Sequence, residues 1–450
     1  MAGIFKAYDI RGLYPEQITE DIAFRVGYYF RDLLDTEDLA RGPVVVVSRD
    51  MRSHSVSLSE ALQKGLMARG VEVIDIGMAD TPQNYFAVGH LGASGGIQVT
   101  ASHNPAQYNG LKMSRRDAIP VAWDTGIEKL EGLVMNSDIE AQLPPCADRH
   151  EKNVFEDYIQ HVLQRMTRHE PRLKVAVDTA NGMGTIYRPI LEKLNIELYP
   201  LFFELDGSFP NHEANPLKEE NLVDLRELVS REACDLGVSF DGDADRAMFI
   251  DETASIVTAD RITGLLAPRF IRDEKGAAII YDLRSSWSTR EAIIEAGGEP
   301  VRERVGHSFM KATMRRHNSP FGGELAGHFY YRANYTADSS IMTLIEVLEH
   351  LRESGQRLSE AVAPLNRYFA TGEINFKVED KQGMIRHLES EFSDGDIDFL
   401  DGITVQYQDW WFNVRPSNTE PYLRLVLEAK SRELMEEKKA LLLSYLGTPR

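Results

Sequence analysis

Cysteine is nearly absent from this chain: 450 residues hold two, Cys146 and Cys234, which excludes a disulfide framework and fits a reducing compartment. Long apolar runs are missing as well. No stretch approaches the ~18 apolar residues of a membrane span, and the opening Met-Ala-Gly-Ile-Phe-Lys-Ala-Tyr carries no apolar signal region, so a cytoplasmic protein without membrane attachment is expected. Basic residues are the minority, 50 Lys and Arg against 70 Asp and Glu for a formal charge of −20. Binding to nucleic acid or anionic lipid is therefore electrostatically unfavourable outside a local basic cleft. Low-complexity segments and short tandem repeats are also lacking. What remains is 43% hydrophobic and 27% charged, a globular balance in a chain long enough for several cores.

Apolar periodicity divides the chain into successive α/β cycles. Residues 43–48 are almost pure valine, 58–69 carry helical spacing and 71–76 alternate, the rhythm of a βαβ unit. A helical run at 84–91 leads to a strand at 96–100 and a polar loop at 101–105. In open α/β sheets, ligands sit where such loops leave the strands. A second cycle has strands at 173–177 and 196–201, helices at 185–194 and 221–231, and an apolar strand at 236–240 that runs into Asp-Gly-Asp-Ala-Asp-Arg at 241–246. The third has helices at 262–271, 289–296 and 308–317, a strand at 277–281, Gly-Gly-Glu-Leu-Ala-Gly-His at 322–328 and a helix at 341–352. Strands at 372–377, 403–407, 411–414 and 422–428, closed by a charged helix at 432–445, read as a smaller α+β module. The expected domains are 1–150, 151–252, 253–368 and 369–450.

Four polar loops carry residues with chemistry. At 100–105, Thr-Ala-Ser-His-Asn-Pro sets a hydroxyl beside an imidazole, and Asn104 and Pro105 resist helix, so Ser102 is expected to be exposed rather than packed. The loop fits a nucleophilic or phosphorylated serine, and equally a plain turn in which His103 caps backbone. Gly110 and Lys112 read as a flexible glycine and an ammonium able to pair with phosphate or move a proton. Asp241, Asp243 and Asp245 are close hard donors that repel one another unless a cation neutralises them. An EF-hand is excluded, because Arg246 stands where that loop needs glycine and the flanks read as strands. Mg²⁺ completed by water or phosphate oxygen suits the set. Glu324 and His328 suit paired sugar hydroxyls, or serve as a surface acid and a partly buried histidine. Arg415-Pro-Ser-Asn-Thr-Glu-Pro421 with Arg424 forms an anion nest matched to phosphate. The loop arginines of Tyr8-Asp-Ile-Arg-Gly12 and Arg49-Asp-Met-Arg52 read as salt-bridged structure, with Arg11 also able to steady a phosphoryl group.

In this order the loops resemble the α-D-phosphohexomutase family, in its phosphomannomutase/phosphoglucomutase branch, through landmarks at 8–12, 100–105, 241–246, 323–328 and 415–419 that span nearly the whole chain. The resemblance implies three related mixed α/β domains and a C-terminal α+β domain like the TATA-binding protein, around a central cleft. It implies a phosphoserine at Ser102 and Mg²⁺ held by Asp241, Asp243 and Asp245 with an oxygen of that phosphoserine. Lys112 and His103 become candidates for proton transfer, and Arg246 and Arg11 would hold the transferring phosphoryl group. Tyr8, Glu324, Ala326, His328 and Arg284 fall on the substrate, and Arg415, Ser417, Asn418, Thr419 and Arg424 on the phosphate that is not reacting. His307 matches a further active-site histidine. The implied reaction interconverts hexose 1-phosphate and hexose 6-phosphate, with glucose 1,6-bisphosphate or mannose 1,6-bisphosphate as intermediate and activator and a small phosphosugar as the only expected partner. Ala326 stands where the branch usually has serine and Arg284 where it often has lysine, departures that bear on the choice among glucose, mannose and glucosamine. A phosphoglucosamine mutase is the alternative enzyme, which the loop fits less well. A catalytically silent sugar-phosphate binding protein is the other alternative, opposed by the presence of Ser102 with all three aspartates.

Overall fold

The valine-rich run forms the strand Val44–Arg49, flanked in parallel by Glu72–Met78 on one side and Gly95–Val99 on the other. Successive side chains leave a strand on opposite faces. Val45 and Val47 join the core shared with helices Glu20–Phe30 and Ser55–Ala68, whereas Val46 joins a second core against helix Thr81–His90. Burial on both faces is why the run is continuously apolar rather than alternating. Arg149–Glu151 lies beyond Glu72–Met78, and the antiparallel strands Tyr108–Arg115 and Ile10–Leu13 complete the opposite edge. Gly110 thus lies with Lys112 within a strand and is not the flexible glycine expected.

The computed structural model describes residues 3–34, 42–139, 143–417 and 422–449. They divide into one unit of Met1–Ala259 with Ala326–Ala361 and another of Asp260–Leu325 with Val362–Arg450. The first unit contains a second sheet, in which Leu173–Asp178 lies between parallel Ile196–Leu201 and Leu236–Phe240, and Ala247–Asp251 and Ile256–Val257 follow antiparallel. The helix expected at 185–194 is a 3₁₀ turn, Met183–Tyr187, followed by the short helix Arg188–Leu191. Pro189 is the reason: it has no amide hydrogen and fits only the first turn of a helix, so a new helix starts around it. The hairpin Phe329–Tyr331 and Ala337–Asp338 and the buried helix Ser340–Ser354 also belong here.

In the second unit, Ala278–Asp282 runs parallel to both Glu299–Glu303 and Phe321–Gly323. The C-terminal module is an antiparallel sheet in which Leu423–Ala429 and Trp410–Pro416 are central. Helices Lys381–Glu391 and Arg432–Leu446 cover its apolar face through Ile385, Leu388, Met435 and Leu442.

Helices Glu20–Phe30 and Ser55–Ala68 approach each other through Gly27 and Gly65. A β-carbon at Gly65 would overlap the carbonyl oxygen of Phe24, and one at Gly27 the carbonyl oxygen of Leu62. Gly65→Ala is expected to destabilise the first unit by about 1–3 kcal/mol, the usual cost of overpacking, which lowers its melting temperature by several degrees. An unchanged thermal melt would show that the helices separate at no cost.

Candidate functional site

Gly95–Val99 and Val44–Arg49 are parallel neighbours whose loops leave on the same edge, at the point where the strand order turns about Val44–Arg49. Open sheets bind ligands in such a crevice. Ser102 sits there, but it is 1% exposed, against the exposure expected for it. Its loop can be buried because Arg52 supplies donors: the guanidinium reaches the carbonyl oxygens of Ser102 (2.9 Å), Asn104 (2.6 Å), Pro105 (2.8 Å) and Tyr108 (3.1 Å). Asp50 holds Arg52 in turn at 3.1 Å and accepts the hydroxyls of Thr100 and Ser55. Ser102 adopts a φ of 51°, a left-handed conformation that costs a non-glycine residue about 1–2 kcal/mol. In that conformation its Oγ donates to Asp241 Oδ2 at 2.9 Å and lies 3.3 Å from His103 Nδ1. Burial, then Arg246, Arg11 and Lys112, push the His103 imidazole well below its ordinary range.

The acidic loop follows Leu236–Phe240, and all three of its aspartates are buried. Gly242 lets it meet the serine loop, since a β-carbon there would overlap the Ser102 carbonyl oxygen. Asp241 Oδ1 accepts the amides of Asp245 and Arg246, each at 3.1 Å. Lys112 Nζ bridges Asp243 Oδ2 (2.7 Å) and Asp245 Oδ2 (2.5 Å), and Thr81, opening helix Thr81–His90, donates its hydroxyl to Asp243 Oδ2 at 2.5 Å. Compensation stops there. Asp243 Oδ1 and Asp245 Oδ1 are buried with no hydrogen-bond partner among the described residues, and the three carboxylates offer oxygens within 4.8 Å of one another. Burial, with Asp245 and Asp243 beside it, holds the Asp241 carboxyl well above the usual range. At Asp243 burial acts in the same direction, but the Lys112 ammonium outweighs it and holds the group well below that range. Orphaned oxygens in a buried site with excess negative charge fit a hard divalent cation that draws its remaining ligands from water or phosphate.

Arg246 and His328 form the next layer. Arg246 Nε donates to His328 Nε2 at 2.9 Å, and His328 Nδ1 faces Asp338 Oδ2 at 3.0 Å. A guanidinium only donates, so Nε2 is the acceptor and the proton of a neutral His328 lies on Nδ1, near Asp338 but outside hydrogen-bond geometry. In this arrangement His328 is committed to Arg246 rather than open as a reader of hydroxyls. Arg11 is paired with Asp9 and donates to Asn104 Oδ1 at 2.5 Å. Tyr8 and Ala326 are half-buried in the same unit.

The second unit holds the remaining candidates. Asp282 binds Arg284 through Nε (3.1 Å) and Nη2 (2.5 Å) and accepts the Leu325 amide at 2.9 Å. Glu324 accepts the Gly306 amide at 3.3 Å and lies 3.8 Å from Arg284. His307 begins helix His307–Arg316, and Ser417 follows the strand Trp410–Pro416. Arg415, Arg424 and Arg284 meet at Glu373, which donates nothing and accepts from all three at 2.7, 2.9 and 3.3 Å. Asn418 and Thr419 lie outside the described residues.

Four segments of the chain, residues 2–139, 156–254, 258–368 and 373–443, match families described as phosphoglucomutase/phosphomannomutase alpha/beta/alpha domains I, II and III and C-terminal domain. A protein of Xanthomonas campestris pv. campestris (strain B100) named "Phosphohexose mutases" is 38% identical over 447 residues, with 98% of both chains covered. A phosphomannomutase of Vibrio cholerae serotype O1 is 36% identical with 96% of each covered. The crystal structure of a phosphoglucomutase/phosphomannomutase family protein from Burkholderia thailandensis superposes with a TM-score of 0.89 at 31% identity, covering 99% of this chain and 98% of that one. The chain belongs to the phosphoglucomutase/phosphomannomutase family. It is accordingly a mutase-type phosphotransferase of carbohydrate metabolism, built on the family's four-part α/β architecture.

Within this family member the residues that sequence reading passed over are those that hold others: Asp50, Thr81, Asp338 and Glu373. Burial raises the Glu373 carboxyl, but Arg284, Arg415 and Arg424 outweigh it and bring it down to about 2. A carboxylate depressed in the folded state stabilises it above the unfolded pKa, and that contribution is lost as pH falls through the folded value. Wild type is therefore expected to melt above Glu373→Gln near neutrality, with the gap closing from about pH 5 toward pH 2. Melts of the two proteins across that range test this; a gap that does not narrow would mean that the carboxylate is not ionised against these guanidiniums.

Proposed function

We propose that the protein is a phosphohexomutase that interconverts the 1- and 6-phosphates of mannose or glucose, with Ser102 carrying the phosphoryl group and a hexose 1,6-bisphosphate formed in each turnover. The observation that supports this most is the buried Ser102 hydroxyl bonded to Asp241 at 2.9 Å, beside carboxylates that keep two orphaned oxygens. Phosphoryl transfer asks a protein mainly for alignment and charge stabilisation. Asp241, Asp243 and Asp245 would hold Mg²⁺, which would supply charge neutralisation at the phosphoserine.

The chain's own groups divide the rest. Arg246, oriented by His328 and Asp338, and Arg11, oriented by Asp9 and Asn104, present donors to the transferring group. His103, whose basic nitrogen stays unprotonated at neutral pH, takes the proton of the attacking sugar hydroxyl as the phosphorus–oxygen bond to Ser102 breaks and the bond to the sugar forms. Lys112, pinned between two carboxylates and with its ammonium stabilised, holds the acidic loop as a fixed positive charge and hydrogen-bond donor rather than as an acid or a base. In the second unit, Glu324 takes the sugar hydroxyls, with His307 beside them, and Arg415, Arg424, Ser417 and Arg284 take the other phosphate. Arg284, with five donors where lysine has three, and Ala326, without a hydroxyl, set this chain's preference among hexoses.

Ser102→Ala is expected to lose mutase turnover by orders of magnitude and to show no phosphate adduct by intact mass after incubation with glucose 1,6-bisphosphate. Near-normal turnover would remove the serine from the mechanism. Asp243→Asn is expected to raise the Mg²⁺ requirement about tenfold or more by deleting one negative ligand. Titration of activity with Mg²⁺ decides this, and an unchanged curve would place the metal elsewhere.

A further inference from the structure

Arg415 and Arg424 stand directly opposite each other across the strands Trp410–Pro416 and Leu423–Ala429. Like charges in that register repel. Arg284 comes to the same point, and one carboxylate lets all three gather. Glu373 precedes the strand Ile374–Phe376, which pairs with the other edge of Leu423–Ala429 and sets Asn375 opposite Arg424. From there Glu373 Oε2 accepts from Arg415 (2.7 Å) and Arg284 (3.3 Å), and Oε1 from Arg424 (2.9 Å). Asp282 and Glu324, the other acids beside Arg284, are 0% and 3% exposed, whereas the Glu373 side chain is 22% exposed. Glu373 is thus the anion of this cluster that solvent reaches.

We propose that Glu373 is an exchange partner for substrate phosphate: it pairs Arg415, Arg424 and Arg284 when no phosphate is docked, yields part of that pairing to a phosphate monoester, and takes it back on release. The proposal rests on the phosphohexomutase reading and adds to it. A mutase that acts on both ends of a bisphosphate must let go of its anchored phosphate once per turnover. Without Glu373, Arg415 and Arg424 would grip a dianion strongly and would be poorly compensated when it departs, because Asp282 is committed to Arg284. Glu373 removes both difficulties, because the arginines pass from one anion to another. It is a positioning residue, acting on substrate through the arginines.

The test is calorimetric binding of inorganic phosphate and of glucose 1-phosphate, with kcat and KM, for wild type, Glu373→Gln, Glu373→Asp and Arg415→Ala. Glu373→Gln removes the competing charge and is expected to bind both ligands about tenfold more tightly, the worth of one charge-assisted contact. Its KM should fall together with kcat, because release slows. Glu373→Asp keeps the charge on a shorter arm, which guards against misfolding, and should lie between. Weaker binding and a raised KM in both Glu373 variants, with Arg415→Ala also weakened, would overturn the exchange role while leaving the phosphate anchor in place. Unchanged binding in Arg415→Ala would remove the anchor itself, and the proposal with it.

Discussion

In each of the three α/β sheets a buried aspartate closes a strand flanked by parallel neighbours on both sides, and the site loops depend on it. Asp50 follows Val44–Arg49, Asp178 ends Leu173–Asp178 and Asp282 ends Ala278–Asp282. Each accepts the backbone amide two residues on, at 3.0, 2.8 and 2.8 Å. That bond turns the chain sharply off the sheet, as short acidic side chains do in turns. In the first and third sheets the residue two positions on is arginine, and Arg52 and Arg284 each fold back to place Nε 3.1 Å from their own aspartate. One arrangement serves two ends: Arg52 spends its remaining donors on the carbonyls of the serine loop, while Arg284 turns toward Glu373. In the second sheet, where Ala180 follows, His212 occupies the aspartate instead at 3.0 Å.

The same strand pattern explains where chemistry accumulates. In each sheet the aspartate-bearing strand has parallel neighbours on both sides, reached by connections that turn opposite ways. The crevice at that reversal is lined by the loop carrying the aspartate and by the loop leaving the later neighbour. Ser102, Asp241 and Glu324 all lie on that later loop, after Gly95–Val99, Leu236–Phe240 and Phe321–Gly323. The fold repeats while the chemistry does not, because each crevice is specified by the few side chains beyond the strand.

Strands buried on both faces are legible as apolar runs, which is why 236–240 coincides with Leu236–Phe240. Loops holding a serine or several aspartates are legible because such residues have few structural reasons to cluster. Burial of Ser102 was not legible: a polar loop with Asn and Pro reads as solvated, and only the distant Arg52 supplies the donors that let it pack. Gly110 read as a flexible position, whereas strand pairing with Ile10–Leu13 and Gly95–Val99 fixes it together with Lys112. Glu373 left no mark in the sequence at all. A single acid before a short strand becomes significant only when antiparallel register sets two arginines face to face beside it.

A chain of net charge −20 that works on a phosphorylated ligand has to concentrate positive charge against its own background. It does so with guanidiniums that are already paired: Arg11 with Asp9, Arg52 with Asp50, Arg284 with Asp282, and Arg415 and Arg424 with Glu373. Pairing costs net charge and supplies geometry, since an arginine held by an acid loses little further freedom when it meets a phosphate. Arg246 differs, because its Nε donates to the imidazole of His328, with Asp338 one residue removed, and Asp241 Oδ2 stands 3.9 Å from that Nε, beyond hydrogen-bond distance. Orientation is thereby obtained with less of the charge cancelled. A guanidinium so held fits a group that must respond to charge developing in a transition state, whereas Arg415 and Arg424, which share one acid, fit an anchor that has to bind and release.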